Sequence, residues 1–190
     1  GLWTGPRIDD LAMVHALLAA LTEAGESPYC RAACFMDSEE VGSRTSAGAD
    51  SSFIASLLKR IVFALGGGEE EYLRSAALSF FVSADAAHAV NPNYPERPDQ
   101  YYSPLINKGP VIKYNGQYRY ATTAETASAF IDLCSSAGVE STKFINRSDI
   151  PCGPTIGAMV RALLGIRTVD VGNPVWDMHS IRETACTDDN

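Results

Sequence analysis

Short apolar runs alternate with longer amphipathic segments along this chain, and this alternation is its strongest constraint on fold. Apolar residues recur at helical spacing in four segments, and shorter apolar runs separate them. The predicted helices are 9–21, 51–65, 124–137 and 155–164. The predicted strands are 31–36, 76–82, 142–145 and 167–171. Helices and strands in alternation are typical of an α/β domain.

Turn-forming residues punctuate the middle of the chain. Asn115-Gly116 is a pair favoured in tight turns, so we predict a hairpin of residues 111–114 with 117–121. Residues 91–104 are rich in Pro, Asn and Tyr, which predicts an ordered surface loop.

Composition excludes several function classes. The 190 residues are 46% apolar, which suits one domain with a single core. The formal charge of -8 argues against nucleic acid or an anionic membrane surface as a partner. No apolar run approaches the length of a membrane helix, and residues 1–20 do not resemble a signal peptide. We therefore expect a cytoplasmic location, with a vacuole-like or lysosome-like compartment as the alternative.

The five cysteines point to free thiols. Their number is odd and they include no CxxC pair, so neither a disulfide framework nor a four-cysteine zinc site is indicated. Cys30 and Cys34 lie four residues apart, but no second Cys/His pair completes a tetrahedral set.

Acids and one histidine stand at strand ends or helix starts, where catalytic groups of open α/β sheets collect. They are Asp9, Glu39, Glu40, Asp85 and His179. Carboxylates with an imidazole suit zinc, manganese or cobalt, and of two adjacent glutamates one can bind metal while the other handles a proton. On residue types alone, solvated loop acids explain the same pattern.

Seven sequence blocks resemble the aspartyl aminopeptidase family and follow that family's order across nearly the whole chain. They are PRID at 6–9, DSEEVGS at 37–43, SADAAHA at 83–89, NPNY at 91–94, GPVIK at 109–113, PCGPTIG at 151–157 and MHSIRE at 178–183. Seven ordered matches make coincidence an inadequate explanation.

The resemblance implies a phosphorylase/hydrolase-like α/β fold, with a mixed central sheet flanked by helices. Residues 1–190 would form a single catalytic metallopeptidase domain. No counterpart of the family's upstream His-x-Asp segment, or of its inserted dimerisation domain, is recognised in the sequence. Full-length members assemble into dodecamers, so a homo-oligomer is expected.

The resemblance also implies a metal site. Asp9 would bridge two divalent ions, Glu40 and Asp85 would be terminal ligands, and His179 would bind the second ion. Glu39 would be the general base for a water activated by both metals. Zinc is the expected metal, with manganese or cobalt possible. Related two-metal peptidases often have a cis bond after the bridging aspartate, so we predict a cis Asp9–Asp10 bond.

The implied activity is removal of N-terminal residues from peptides, with acidic residues preferred. Lys113 would pair with the acidic side chain, Tyr120 would steady the tetrahedral intermediate, and His88 would line the pocket. Ala86 replaces the Met that the family usually has, which weakens the case for strict acidic preference. The alternatives are a neutral-residue aminopeptidase and a catalytically impaired fragment with an assembly or scaffold role. His15 matches no family block and is left outside the site.

Overall fold

The computed structural model describes residues 1–190 and contains five α-helices and eight β-strands. The helices are α1 Ile8–Glu23, α2 Phe53–Ala64, α3 Glu69–Leu78, α4 Ala124–Ser136 and α5 Ile156–Leu164. The strands are β1 Leu2–Gly5, β2 Phe80–Ala84, β3 Ala87–His88, β4 Val111–Tyr114, β5 Thr142–Ile145, β6 Arg167–Gly172, β7 Pro174–Trp176 and β8 Glu183–Cys186. Two short 3₁₀ helices span Glu39–Val41 and Thr187–Asp189.

The strands form two mixed sheets of four strands each. One has the order β2-β6-β4-β5, in which β2 is parallel to β6, β4 is antiparallel to β6, and β5 is parallel to β4. The other has the order β1-β8-β7-β3, with antiparallel pairs on both sides of β8 and a parallel β3–β7 pair. Both kinds of pairing therefore occur in each sheet.

The two sheets share a pair of neighbouring chain segments. Only Asn173 separates β6 from β7, and only Asp85 and Ala86 separate β2 from β3. The backbone N–H of Asp85 donates to Val171 O (3.0 Å) and that of Ala87 donates to Asn173 O (2.8 Å). These bonds continue the parallel pairing across the junction, so Asp85 lies where one sheet passes into the other.

Apolar side chains pack on both sheets. In the first, Ile112 of β4 and Val169 and Val171 of β6 form a cluster with Ala127 of α4. In the second, Ile8 of α1 packs with buried residues that follow β2 or lie on the strands, namely Ala86, Val175 and Ala185. The β-branched residues of β6 fit a strand that is buried along most of its length. No helix of the structure is long and apolar enough to cross a membrane.

The predicted fold class is confirmed, since mixed sheets are flanked by helices. Four predicted helices appear as α1, α2, α4 and α5, and three predicted strand segments appear as β4, β5 and β6. The predicted strand 76–82 is correct only in its second part, because residues 76–78 complete α3 and β2 begins at Phe80. We did not predict α3, whose first residues are fixed by a capping bond from Gly68 N–H to the Glu71 side chain (2.8 Å).

Two local predictions are wrong. Residues 31–36 form no strand; instead, Cys34 and Met36 pack against a cluster of Ala49, Ile54 and Val160. Residues 117–121 do not pair with β4, because β5 and β6 already occupy both of its edges. The Asn115-Gly116 turn therefore leads into a loop and not into a hairpin.

Candidate metal site and substrate cavity

The predicted site residues come from separate parts of the chain. Asp9 is in the first turn of α1, Asp85 directly follows β2, and Lys113 is on β4. Glu39 and Glu40 begin a 3₁₀ helix, and His179 lies in the loop between β7 and β8. His88 is on β3 and Tyr120 is in the loop after β4. A cavity of about 150 Å³ is lined by six of them, Glu39, Asp85, His88, Lys113, Tyr120 and His179.

Asp9, Glu40 and His179 form the first group of converging donors. The Nε2 atom of His179 lies 3.2 Å from Asp9 Oδ2 and 3.1 Å from Glu40 Oε1. One ligand atom from each residue falls within 4.8 Å of the other two. Two carboxylates and an imidazole are a donor set that suits a divalent transition metal.

Asp9 also belongs to a second group of donors, with Asp10 and Asp85. Their carboxylate oxygens lie within 4.8 Å of one another. The peptide bond between Asp9 and Asp10 is cis, as predicted. The two groups meet at Asp9, which is the geometry that a bridging carboxylate requires.

Lys113 forms a partly buried ion pair with Asp85, a member of the second group. The Nζ atom of Lys113 donates to Asp85 Oδ2 at 2.8 Å and lies 5.7 Å from the centre of the Tyr120 ring. Burial opposes the charge of Lys113, but Asp85, followed by Asp170 and Asp10, together outweigh it, so the pKa of Lys113 is raised. A Cβ atom at Gly172 would overlap the backbone carbonyl oxygen of Asp85, so this close packing of β6 on Asp85 requires glycine.

Three acids of the site hold their protons unusually tightly. Burial, followed by the charges of Asp85 and Glu40, raises the pKa of Asp9 to about 7. Burial, with Asp85 and Asp9, raises the pKa of Asp10 to about 8. The pKa of Glu39 rises to about 7, again through burial and then through Asp85 and Glu40. Burial and mutual repulsion therefore disfavour the ionised forms of these three acids.

The residues present fit a cation. The Oδ1 atoms of Asp9 and Asp10 are buried and have no hydrogen-bond partner in the protein. Buried carboxylate oxygens without partners are costly, and a divalent cation supplies the positive charge that they lack. The orphaned oxygens belong to the donor groups described above, so the hydrogen-bonding deficit and the candidate metal site coincide.

His88 and Tyr120 lie on the wall of the cavity and belong to neither donor group. Desolvation, followed by the charges of Lys113 and His179, lowers the pKa of His88. Burial, and next the contact with Cys152, raises the pKa of Tyr120. A neutral imidazole and a protonated phenol can both donate hydrogen bonds to a bound molecule.

Sequence reasoning gave no site role to two residues that the structure places here. Asp10 contributes a donor to the second group. Glu183 is buried and accepts hydrogen bonds from the backbone N–H groups of Asp9 (2.9 Å) and His179 (2.7 Å). Asp10 adjoins the proposed bridging aspartate, and Glu183 closes the MHSIRE block, so position within the motifs was the available signal.

Known proteins share this chain's sequence over almost its whole length. A "Probable M18 family aminopeptidase 2" of Clostridium novyi is 45% identical over 184 residues, covering 97% of this chain and 42% of the relative. Its namesake in Mycobacterium tuberculosis is 43% identical over 186 residues, covering 96% of this chain and 43% of the relative. The chain thus spans less than half the length of these curated relatives.

Solved structures share the fold over 99% of this chain. A structure of the Ape4 and Nbr1 complex matches with a TM-score of 0.90 at 37% identity, over 37% of its own chain. The mApe1 dodecamer of S. cerevisiae matches with a TM-score of 0.85 at 27% identity, over 43% of its chain. Residues 2–190 match the family described as "Aminopeptidase I zinc metalloprotease (M18)". The chain therefore belongs to the M18 family of zinc metalloproteases.

Proposed function

We propose that this chain forms the metal-binding core of an aminopeptidase that hydrolyses the N-terminal peptide bond of peptides. Asp9, Glu40, Asp85 and His179 would hold two divalent cations, most simply zinc, with Asp9 shared between them. The observation that carries the proposal is the meeting of two donor groups at Asp9. Membership of a zinc metalloprotease family supports the choice of metal.

Cations bound here would polarise the scissile carbonyl and lower the pKa of a water molecule. Glu39 is suited to take the proton from that water. It lines the cavity, and its pKa of about 7 suits a base that accepts and releases a proton near neutral pH. We propose that Glu39 then delivers the proton to the leaving amine, so that one carboxylate serves both transfers.

Three cavity residues are proposed to orient the substrate. The ammonium group of Lys113 has three donors, of which the structure shows one bonded to Asp85. The others would bind the carboxylate of an N-terminal Asp or Glu. The hydroxyl of Tyr120 would donate to the developing oxyanion, and His88 would complete the wall beside it.

Removal of metal tests the proposed activity. Dialysis against a chelator should lower kcat/KM for aspartyl peptides by at least about 100-fold, because such cations contribute several kcal/mol to the transition state. Addition of two equivalents of zinc should restore it. Full activity in protein verified to be metal-free would contradict the proposal. Zinc binding without hydrolysis would favour the assembly or scaffold role.

A neutral-residue aminopeptidase is the second candidate, and one contact favours it. The bond from Lys113 to Asp85 gives the lysine a task inside the site that does not involve substrate. Ala86, buried beside the cavity, adds no bulk that would select against aliphatic side chains.

Lys113→Met distinguishes the two candidates. If Lys113 reads an acidic side chain, the ratio of kcat/KM for N-terminal Asp over N-terminal Leu should fall about 10- to 100-fold, because a charge-assisted hydrogen bond contributes about 1.5–3 kcal/mol. The ratio does not depend on the fraction of folded enzyme. Lys143→Met, at an exposed position of β5, is the control. Equal losses on both substrates would assign Lys113 to Asp85 alone.

Assembly and location are further proposals. One of the similar solved structures is a dodecamer and another is a complex with Nbr1, and these statements concern those proteins. We propose that the protein containing this chain is a homo-oligomer. A cytoplasmic or vacuole-like location stays a prediction.

A further inference from the structure

Glu183 connects two of the proposed metal ligands through their backbones. It opens β8, where it is paired with Gly5 of β1, and it is 2% exposed. Its Oε2 atom accepts from Asp9 N–H and its Oε1 atom from His179 N–H. Both oxygens of one buried carboxylate are thus used on residues that lie far apart in the chain.

For both N–H groups, the Glu183 carboxylate is the acceptor that the structure shows. The N–H of Asp9 is in the first turn of α1, where no carbonyl of the helix can accept it. His179 has a φ of 69°, a left-handed conformation that non-glycine residues rarely adopt, and its side chain is 59% exposed. More than half of the His179 side chain thus faces solvent, and the bond from its N–H to Glu183 helps to hold this loop.

We propose that Glu183 is a positioning residue that sets the spacing between Asp9 and His179 and so shapes the metal site. This inference rests on the proposed function, because it takes those two residues as metal ligands. The carboxylate itself belongs to neither donor group. It acts by fixing two peptide units, which holds His179 Nε2 at 3.2 Å from Asp9 Oδ2.

Only a carboxylate meets this demand without loss. Both partners are N–H donors, so both side-chain oxygens must accept. Glu183→Gln keeps the shape but turns an amide NH₂ towards one of the two N–H groups. Glu183→Asp keeps the charge but shortens the side chain by one methylene. Each variant should free at least one ligand-bearing segment.

Hydrogen exchange of the metal-free protein tests the positioning directly. In the wild type, the amide of His179 should exchange more slowly than an unbonded amide of an exposed loop, and Glu183→Gln should accelerate exchange at Asp9 or His179. Exchange of the wild-type His179 amide at the unprotected rate would overturn the proposal, whether or not any variant folds.

Zinc affinity, measured by competition with a chelator, tests the consequence for the metal site. Glu183→Gln should weaken zinc binding about 10- to 100-fold, the usual effect of removing a group that orients a ligand. Glu183→Asp should also weaken zinc binding.

Asp189→Asn is the matched control. Asp189 is also buried, and its carboxylate also accepts two backbone N–H groups, those of Asn107 and Gly109, but it belongs to neither donor group. The variant should lose stability and keep wild-type zinc affinity. Wild-type zinc affinity in folded Glu183→Gln would overturn the positioning role. Failure of the wild type itself to bind zinc would instead overturn the proposed function, and the exchange result would still decide the role of Glu183.

Discussion

The candidate site has a buried half and an exposed half that are built differently. In the buried half, the side chains of Asp9 and Lys113 are 3% and 4% exposed, and Asp85 is 23% exposed. In the exposed half, the side chains of Glu40 and His179 are each 59% exposed. The buried residues lie on or directly beside regular elements, whereas the exposed ones lie in a short 3₁₀ helix and a loop.

The difference would let a metal site here combine buried ligands with access for substrate. Desolvation and mutual repulsion in the buried half disfavour the ionised forms of Asp9 and Asp10, so a cation that compensates their charge would be favoured there. The proposed ligands in the exposed half remain in contact with water, so they leave a route for substrate. Three experiments would sharpen or break this contrast.

The largest expected effect is on turnover. Glu39 shares a segment with Glu40, yet its raised pKa links it to the buried acids. Glu39→Gln should lower kcat about 10²- to 10⁴-fold, because it removes the proposed general base, and should leave zinc content unchanged. Stopped assays with aspartyl peptides and metal analysis measure both. Glu26→Gln, in an exposed segment, should behave as wild type. Loss of zinc together with turnover would make Glu39 a ligand.

The second effect is on metal affinity, and it compares the two halves directly. Asp9 belongs to both donor groups and His179 to one. Asp9→Asn should therefore weaken both proposed zinc sites, by more than the roughly 10- to 100-fold expected for an orienting residue, whereas His179→Ala should spare one proposed site. Zinc per chain, titrated against a chelator, measures this.

The outcome for His179→Ala decides whether the halves are separable. Retention of one zinc would support two sites of different construction. Loss of both ions in His179→Ala and in Asp9→Asn alike would mean that the donor groups act as a single unit.

The smallest effect is on the stability of the metal-free protein. The pKa values of Asp9 and Asp10, about 7 and about 8, exceed the ordinary value of 3.8. Between about pH 4 and pH 8, the folded state therefore binds protons that the unfolded state has released, so the free energy of unfolding falls as pH rises. Tm should be lower at pH 8 than at pH 5.5, by about 2–4 °C for each kcal/mol lost.

Asp10→Asn provides the control for this pH dependence. It removes one of the titrating acids, so the fall in Tm between the two pH values should shrink. Zinc should raise Tm more at pH 8 than at pH 5.5, because cations bind the ionised carboxylates. If the Tm of the metal-free protein instead rose over this range, the raised pKa values of the buried acids would be contradicted.

Sequence periodicity was enough to predict the elements whose structure is decided by their own residues. The helices α1, α2, α4 and α5 have apolar residues at helical spacing, and β5 and β6 are short segments rich in β-branched and aromatic residues. The wrong predictions concern segments whose structure depends on a pairing partner that is distant in the chain. Residues 31–36 have the composition of a strand but no neighbouring strand to pair with, and β4 takes β5 and β6 as partners in place of its sequence neighbour.

The sequence motifs were needed to predict that the site residues converge, because spacing along the chain does not reveal that Asp9 and His179 meet. The structure added the residues that act through others. Glu183 accepts hydrogen bonds from the backbone N–H groups of Asp9 and His179, and side-chain chemistry alone gives no reason to connect it with either. Asp10 was visible as an acid, but its membership of a donor group depends on the position of Asp85.

Gly172 lies on a strand outside the cavity, yet its close packing limits what the cavity can hold. Even one methyl group there would displace Asp85, so the neighbouring backbone has no room for a larger residue. A substitution at Gly172 would therefore also disturb the pairing of Asp85 with Lys113. Changes that enlarge or reshape the substrate pocket are therefore easier to accommodate from the loop that carries His179 than from the sheet. Changes in substrate preference among related proteins should therefore arise mainly from residues on the solvent-exposed side of the site.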